Sequence, residues 1–335
     1  MGQPRTIDHY NHGVHVMGKG FFSFRILSIA FVGLLMLSGG QAVAAESPLR
    51  LALLPVPDVL PVYVAEARGY FKELGVEVEP LKVGSAVERD QLMQAGRIDG
   101  MINEISGAAN FNREEIRVKI VAIARSPIGT SPLFRILAAP GSSIKKVTDL
   151  AGVPIGISKN TVIEYVTTRL LTAGGLAEKE IAYRSVPVLP ERLQLLLAGQ
   201  LKVVTLPDPL GASAMSAGAI ELVNDTSLAS LSASVITFSE KTLAERGPEV
   251  KKFMVAWDRA AADLNADPEQ FRELMLEKIR VPGNVRKSFP IPPMPRKTLP
   301  TKEQWNDVMT WMVERGLLAA PLDYAGSVTA EFLPE

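Results

Sequence analysis

Residues 61–78 read PVYVAEARGYFKELGVEV and contain a helix, its end and a strand in direct succession. The apolar residues of the first part recur at helical spacing, so we predict a helix over about 62–74. Gly75 predicts the end of this helix, because glycine readily adopts the left-handed conformation that closes many helices. Apolar and acidic residues then alternate over 76–79, which predicts a strand. A helix and a strand this close together are typical of an α/β protein.

The same alternation of strands and helices continues through most of the chain. Short apolar runs predict strands, and periodic segments that begin with a capping residue or end at glycine predict helices. The predicted strands lie at 49–54, 98–102, 118–124, 153–157, 201–206 and 232–238. The predicted helices lie at 84–95, 161–173, 191–198, 209–215, 240–246, 248–265, 268–278 and 302–315. We therefore expect an α/β protein with largely parallel sheets.

This order of elements predicts two lobes with a ligand cleft between them. We expect lobe I to hold residues 48–138 and 236–335, and lobe II to hold residues 139–235. Two extended segments, near 133–138 and 232–238, would cross between the lobes. Two crossings at one seam act as a hinge, and a cleft that closes by such a hinge can enclose a small ligand.

The first 45 residues predict a signal peptide with an extended leader. Lys19 and Arg25 supply positive charge ahead of an apolar run at 26–37. The sequence AVA at 42–44 fits the small-x-small cleavage rule, so we expect cleavage directly after it or one residue later. The alternative is an uncleaved helix that anchors the protein in the membrane. The apolar run is short for this role, because a membrane span needs roughly 20 residues.

The composition argues against several classes of protein. The chain has no cysteine, so we expect no disulfide scaffold, cysteine nucleophile, thiolate metal site or lipid anchor on an N-terminal cysteine. Its three histidines, His9, His12 and His15, all precede the expected cleavage site. The mature chain would therefore lack the commonest general base and metal ligand. Lys+Arg and Asp+Glu are equal at 36 each, and this balance argues against nucleic acid as a partner.

Three segments resemble the substrate-binding proteins of the nitrate, sulfonate and taurine class of ABC importers. The first is the stretch at 61–78, the second is QAGRIDG at 94–100, and the third is VTDLAGVPIG at 147–156. The resemblance covers most of residues 49–235. It implies the type II periplasmic binding protein fold, a periplasmic location, and ABC permease and ATPase subunits as partners. We expect a monomer that needs no cofactor.

The resemblance also implies where a ligand would bind. Proteins of this class hold their ligands on turns at the carboxyl ends of strands, where helix N-termini point into the cleft. Free backbone N–H groups and the positive end of the helix dipole make such turns natural anion sites, suited to a sulfonate, nitrate or carboxylate. The candidate ligand-binding residues are Pro57, Asp58, Tyr63, Gly84, Ser85, Asn103, Glu104, Ser126, Ser158, Asn160, Thr161 and Asp208.

Helix capping is an alternative explanation for some of these residues. Ser85, Thr161 and Asp208 each precede a predicted helix, and Ser, Thr and Asp are the usual N-cap residues. Tyr63 is the best placed candidate to stack on a planar ligand, but an aromatic residue on an apolar helix face can equally be part of the core.

The balance of charges bears on the class of ligand. The acids Asp58, Glu104 and Asp208 are all expected near the cleft, where Lys159 and Arg125 are the nearby cations. Such a cleft would repel a simple anion. It would suit an amine-bearing solute or a pyrimidine, such as the thiamine precursors that some relatives bind.

The sequence therefore predicts the periplasmic solute-binding component of an ABC importer, which closes its lobes around a small polar organic solute that is sulfonate-, taurine- or nitrate-like. An amine-bearing or pyrimidine ligand is the alternative. Two other classes remain open. An enzyme of the same fold would need a reactive group such as histidine, which the expected mature chain lacks. A ligand-sensing domain of a regulator would need an output segment, and we find none.

Overall fold

The apolar run at Leu49–Leu53 forms the first of ten strands in the computed structural model, which describes residues 47–228 and 230–335. The predicted export signal lies outside the described residues. The strands are β1 (Leu49–Leu53), β2 (Val78–Lys82), β3 (Gly100–Glu104), β4 (Val118–Arg125), β5 (Phe134–Ala138), β6 (Pro154–Ile157), β7 (Ala182–Ser185), β8 (Val203–Pro207), β9 (Ile220–Asn224) and β10 (Ser234–Ser239).

Helices connect most of these strands. They are α1 (Leu60–Ala67), α2 (Tyr70–Leu74), α3 (Ala86–Gln94), α4 (Ile105–Phe111), α5 (Val162–Ala173), α6 (Leu189–Leu197), α7 (Leu210–Ser216), α8 (Glu240–Ala266), α9 (Arg272–Lys278), α10 (Lys302–Glu314) and α11 (Tyr324–Ser327). Short 3-10 turns lie at Pro57–Val59, Val147–Leu150, Glu178–Glu180, Asp225–Leu228, Pro268–Phe271 and Gly283–Val285. None of the helices at 47–228 and 230–335 is both long and apolar enough to span a membrane.

The strands form two five-stranded sheets, one in each lobe. The sheet of lobe I has the order β2-β1-β3-β10-β4, and the sheet of lobe II has the order β7-β6-β8-β5-β9. In each sheet a single strand runs against the others, β10 in lobe I and β5 in lobe II. The expected α/β fold with two lobes and largely parallel sheets is therefore confirmed.

The connections between the sheets determine which of their edges face each other. The chain leaves lobe I at the carboxyl end of β4 and enters lobe II at the start of β5; it leaves lobe II at the carboxyl end of β9 and returns at the start of β10. Because β10 and β5 are antiparallel to their neighbours, the carboxyl ends of all the parallel strands lie at the same edges as these two connections. The turns that follow β1, β2 and β3 therefore face the turns that follow β6, β7 and β8.

The two crossings lie a few residues before their expected positions. Among the described residues they cover 126–133, 225–228 and 230–233, whereas the sequence suggested 133–138 and 232–238. Residues 134–138 are instead β5, which belongs to lobe II, and β10 places residues 234–235 in lobe I. The apolar runs at 134–138 and 234–238 form strands within the sheets, whereas the crossings that precede them are less apolar and contain several serines. An apolar pattern therefore identifies the strands and not the crossings.

The helix expected over 62–74 is divided into two. Gly69 adopts a left-handed conformation with φ of 74°, and this residue separates α1 from α2. Gly75 ends α2 with φ of 65°, as expected. The two helices expected at 240–246 and 248–265 are present as two segments of α8, which meet at a kink where Arg246 has a non-helical φ of −131°.

Four elements had no sequence prediction: β7, β9, α4 and the four-residue helix α11. Strands β7 and β9 have few buried residues, and α4 (ISGAANF) is built largely from small residues. None of them has the apolar period that identifies a strand or a helix.

Three hydrophobic cores support these layers. The first lies between the lobe I sheet and helices α1, α2 and α8, and the third lies beneath α6 and α7 in lobe II. The second continues from the other face of the lobe I sheet to α5 and the lobe II sheet, and Trp305 and Trp311 of α10 belong to it. The two lobes are therefore also packed together along α10.

Candidate functional site

The facing edges of the two sheets bring together most of the residues expected to bind ligand. The end of β3 and the turns after β1, β2 and β4 supply the candidates of lobe I, and the turns after β6 and β8 supply those of lobe II. The candidates at these edges are Pro57, Asp58, Gly84, Ser85, Asn103, Glu104, Ser126, Ser158, Asn160, Thr161 and Asp208.

Tyr63 does not lie at these edges. It is 3% exposed and belongs to the first hydrophobic core, within α1. The ammonium of Lys278 lies 5.5 Å from the centre of its ring. Tyr63 is therefore packed in the core, which is the alternative role that its place on an apolar helix face indicates.

Asp58 forms an ion pair with a buried arginine of lobe I. Its Oδ1 accepts a hydrogen bond from Arg125 Nη1 at 3.2 Å, and Arg125 Nη2 donates to the carbonyl of Pro132 at 2.7 Å. Arg125 is the last residue of β4 and is 3% exposed. This arginine therefore connects the turn after β1 with the first crossing.

Glu104 is paired in a similar way. Its Oε2 lies 3.4 Å from Nη2 of Arg89, a residue of α3 that is 2% exposed. Arg89 Nη1 also donates to the carbonyl of Ile102 at 3.0 Å, which fixes the guanidinium beside β3.

Asp208 has the strongest pairing of the three acids. Its two carboxylate oxygens accept hydrogen bonds from Arg135 Nε and Nη2, each at 2.9 Å, and Arg135 Nη1 also contacts Glu221. Asp208 Oδ1 further accepts the backbone N–H of Ala212 at 3.0 Å. The expectation that Lys159 and Arg125 are the cations near these three acids is therefore incomplete, because Arg89 pairs with Glu104 and Arg135 pairs with Asp208.

The chain's own carboxylates lie beside the helix N-termini at these edges. Glu88 Oε2 accepts the backbone N–H of Gly84 at 2.7 Å, and Glu164 Oε2 accepts that of Asn160 at 2.6 Å. Together with the bond from Ala212 to Asp208, these contacts place a carboxylate at the start of α3, α5 and α7. A carboxylate at each of these sites is unfavourable for an anionic ligand, because like charges would be held close together.

Two of the hydroxyl candidates, Ser85 and Thr161, act as helix caps. Ser85 Oγ accepts the N–H of Glu88 at 3.1 Å, and Thr161 Oγ1 accepts the N–H of Ile163 at 3.1 Å. Ser158 is held by Arg192, whose Nη2 donates to its Oγ. Arg192 is fully buried, and burial lowers its pKa to about 10.

Asn103 differs from the other candidates because part of its hydrogen-bonding capacity is unused. Its Oδ1 accepts the hydroxyl of Thr237 at 2.6 Å, and the residue is 1% exposed. Its Nδ2 has no hydrogen-bond partner among residues 47–228 and 230–335. A buried N–H donor without a partner is uncommon in folded proteins, so this atom is a candidate contact for a ligand.

Asp225 joins the two crossings. Its carboxylate accepts the backbone N–H groups of Leu133 at 3.0 Å and Phe134 at 3.1 Å, and it also accepts the hydroxyl of Ser232. The residue is fully buried, and burial raises its pKa to about 6. Neither this acid nor its role was predicted from the sequence, since its partners are up to 92 positions away along the chain.

A groove of about 540 Å³ lies between the lobes beside the second crossing. It runs along α5 and α10, where Tyr165 donates its hydroxyl to Asp307 at 2.6 Å and Arg169 Nε donates to the same carboxylate at 3.0 Å. Burial raises the pKa of Tyr165. The groove is distinct from the strand-end turns, and its polar groups are paired with one another.

The described residues hold no cluster of three or more histidine, cysteine, aspartate or glutamate side chains arranged to bind a metal ion.

Comparison with known proteins supports the resemblance seen in the sequence. A family model described as NMT1/THI5 like matches residues 56–271, which is more than half of the chain. No curated protein matches the sequence at a significant level.

Several solved structures share the fold. The ligand binding component of an ABC-type import system from Staphylococcus aureus, solved with zinc bound, superposes with a TM-score of 0.71 at 14% identity over 86% of this chain and 98% of that chain. The periplasmic aliphatic sulphonate binding protein SsuA from Escherichia coli gives a TM-score of 0.70 at 17% identity over 86% and 94% of the two chains. The desulfurization enzyme DSZB gives 0.65 at 16% identity over 86% and 97%. At these identities the likeness establishes the periplasmic binding protein fold.

Proposed function

This chain belongs to the NMT1/THI5-like family, and on that premise we propose that it is the solute-binding component of an ABC importer. It captures one small polar organic solute between its lobes and delivers it to a permease and ATPase in the inner membrane. The observation that carries this proposal is the pair of facing sheet edges, which are joined by two crossings and lined with polar side chains. Two lobes joined in this way can close around a ligand by a hinge motion.

The proposal places the mature protein in the periplasm as a monomer. The export signal expected in the first 45 residues and the periplasmic sulphonate binding protein of the same fold from E. coli support this location. Once the solute has been identified, cells that lack this protein should fail to take it up.

A binding role is favoured over catalysis by the residues available. The three histidines of the chain are at positions 9, 12 and 15, and the chain has no cysteine. One neighbour of the same fold is an enzyme, so the fold itself permits either role. Turnover of a bound solute by the purified protein would contradict the binding-only role.

The first candidate ligand is a sulfonate or nitrate, because solved proteins of the same fold include a sulphonate-binding and a nitrate-binding protein. The second candidate is an uncharged or amine-bearing solute, such as a pyrimidine. The electrostatics favour the second. The carboxylates of Glu88, Glu164 and Asp208 lie beside three helix N-termini, and the arginines beside Asp58, Glu104 and Asp208 are held in ion pairs.

Lobe closure is the property to test. Val87 follows β2 and Val188 follows β7, and these are the strands farthest from the crossings in their sheets. The two residues therefore lie on opposite sides of the cleft. They are 66% and 55% exposed. Because the chain has no cysteine, Val87→Cys with Val188→Cys gives a pair of specific labelling sites for energy transfer.

We expect the transfer efficiency of this pair to rise, with saturation, on adding at least one of taurine, nitrate, nicotinamide or 4-aminopyrimidine. The same solute should raise the melting temperature, because a ligand that binds the folded state stabilises it. A pair within lobe I, Val87→Cys with Ile116→Cys, is the control and should show no change. If none of the four solutes alters either signal, the proposed function is contradicted.

A further inference from the structure

The same hydrogen bond between a backbone N–H group and a carboxylate occurs in each lobe, at a turn on the facing edges. In lobe I the N–H of Gly84 donates to Glu88 at 2.7 Å, and in lobe II the N–H of Asn160 donates to Glu164 at 2.6 Å. In both pairs the acid is four residues after the N–H group, in the first turn of the helix that follows. The two contacts are therefore equivalent in their local geometry.

Burial distinguishes the two acids. Glu88 is exposed, so water stabilises its charge. Glu164 is 4% exposed, and a carboxylate removed from water is stable in its charged form when a cation compensates it. That cation is Arg315, whose Nε lies 3.6 Å from Glu164 Oε1. Arg315 is the one ion-pair partner of Glu164 among residues 47–228 and 230–335.

Arg315 reaches Glu164 from the other lobe. It directly follows α10, which packs against α4 of lobe I, whereas Glu164 belongs to α5 of lobe II. The same two helices are joined again where Arg169 of α5 donates to Asp307 of α10 at 3.0 Å. Arg315 Nη2 also donates to Glu178 of lobe II at 2.7 Å. The distance between Arg315 and Glu164 therefore depends on how the lobes are arranged.

The turn that Glu164 holds is a strained one. Asn160 has φ of 59°, a left-handed conformation that is unfavourable for a residue with a side chain. Thr161 donates its hydroxyl to the carbonyl of Ser158 at 2.8 Å, which closes the turn on its other side. A hydrogen bond from N–H to a charged acceptor is stronger than one to a neutral acceptor. The charge of Glu164 therefore helps to keep Asn160 in its strained conformation.

We propose that Arg315 is a positioning residue for solute binding: from lobe I it compensates the charge of Glu164, and Glu164 fixes the turn at 158–161 in lobe II. This inference rests on the proposed function, in which that turn contacts the solute. It also gives the lobes a means of acting on the turn. A hinge motion that withdraws Arg315 leaves a buried charge without a partner, and the turn loosens.

Amide hydrogen exchange, followed by NMR in the solute-free protein, tests this inference. Arg315→Gln should speed the exchange of the Asn160 amide by at least about tenfold, as expected when a hydrogen bond to a charged group is lost. The Gly84 amide is the internal control, and its exchange should stay unchanged because its acceptor, Glu88, is exposed. Arg315→Lys keeps the positive charge and should restore most of the protection of Asn160.

Two further variants separate positioning from a general loss of stability. Glu178→Gln breaks the other ion pair of Arg315 and should leave the exchange of Asn160 unchanged. Glu164→Gln still offers a carbonyl oxygen to the Asn160 N–H but carries no charge. Adding Arg315→Gln to Glu164→Gln should therefore change the exchange of Asn160 by less than about twofold. A merely structural role would give Arg315→Gln the same effect in both backgrounds.

Binding provides the second readout. A probe that raises the energy transfer of the Val87–Val188 pair should bind Arg315→Gln at least about threefold more weakly, because binding must then also order the turn. Glu178→Gln should bind that probe normally.

Unchanged exchange of Asn160 in Arg315→Gln, or an equal increase at Gly84, would overturn the inference. Its failure can be distinguished from failure of the proposed function. If a probe closes the Val87–Val188 pair and binds Arg315→Gln as tightly as the unsubstituted protein, the solute-binding function stands and the positioning role is wrong. If exchange responds as expected but none of the four solutes closes the pair, the contact stands and the proposed function is contradicted.

Discussion

At the scale of single residues, long-range partners decide the character of the cleft. The sequence identifies Asp58, Glu104 and Asp208 at turns, and the structure confirms that they lie at the facing edges. The sequence indicates Arg125 as a nearby cation, but it does not show that Arg125 pairs with Asp58, which is 67 positions away. It does not indicate Arg135 at all, because Arg135 is 73 positions from Asp208. A single sequence shows which groups are charged but not which of them meet, so the net charge of a site cannot be read from it.

Asp225 gives a prediction about pH. Its folded-state pKa is about 6, raised by burial from an ordinary 3.8, so the folded protein binds this proton more tightly than the unfolded chain does. The stabilisation from this group is therefore fully present below about pH 4 and is lost as the pH rises through 6. The difference amounts to at most about 3 kcal/mol.

Urea unfolding of the wild type and of Asp225→Asn, measured between pH 4 and pH 7.5, checks this prediction. Because the variant cannot titrate at this position, the difference in unfolding free energy between the two proteins should change across this range. Other titrating groups cancel in the comparison. A difference that is the same at every pH would show that Asp225 has an ordinary pKa.

At the scale of elements, the sequence predicts most helices and strands but misjudges their interruptions. The apolar spacing of 62–74 continues through Gly69, and only the backbone conformation of that glycine separates α1 from α2. Strands β7 and β9 have few buried residues, so they have no strong alternation of apolar and polar residues. A strand that is stabilised mainly by its neighbours in the sheet has no clear strand pattern in its own sequence.

The break at Gly69 can be tested by a pair of glycine substitutions. Gly69 has φ of 74°, and a Cβ added there would meet no heavy atom within 4 Å, whereas Gly283 has equally open space but is not among the glycines with positive φ. Gly69→Ala should therefore lower the free energy of unfolding by about 1 kcal/mol, the cost of a left-handed alanine. Gly283→Ala should leave it unchanged or slightly higher. Chemical denaturation measures both, and equal effects would contradict a conformational role for Gly69.

At the scale of the whole molecule, two lobes and two crossings follow from the order of the elements. The sequence predicts this arrangement because the resembling segments occur in order and α/β units recur on both sides of the first crossing. It does not reveal that the lobes also touch outside the crossings. Ser213 of α7 donates its hydroxyl to Asn284 Oδ1 at 2.8 Å, and Asn284 Nδ2 donates to the carbonyl of Ser213 at 2.9 Å.

This contact should bias the position of the lobes, because Ser213 belongs to lobe II and Asn284 to lobe I. Asn284→Ala removes both hydrogen bonds, which together contribute about 1–2 kcal/mol, so the open arrangement should become roughly tenfold more populated. Energy transfer between labels at Val87→Cys and Val188→Cys should then fall in the ligand-free protein.

Asn265→Ala is the matched control, since Asn265 also makes two hydrogen bonds, but both are to Met294 within lobe I. It should lower the melting temperature without changing the transfer. If the labelled protein shows the same transfer efficiency with and without Asn284→Ala, the crossings and α10 alone set the distance between the lobes.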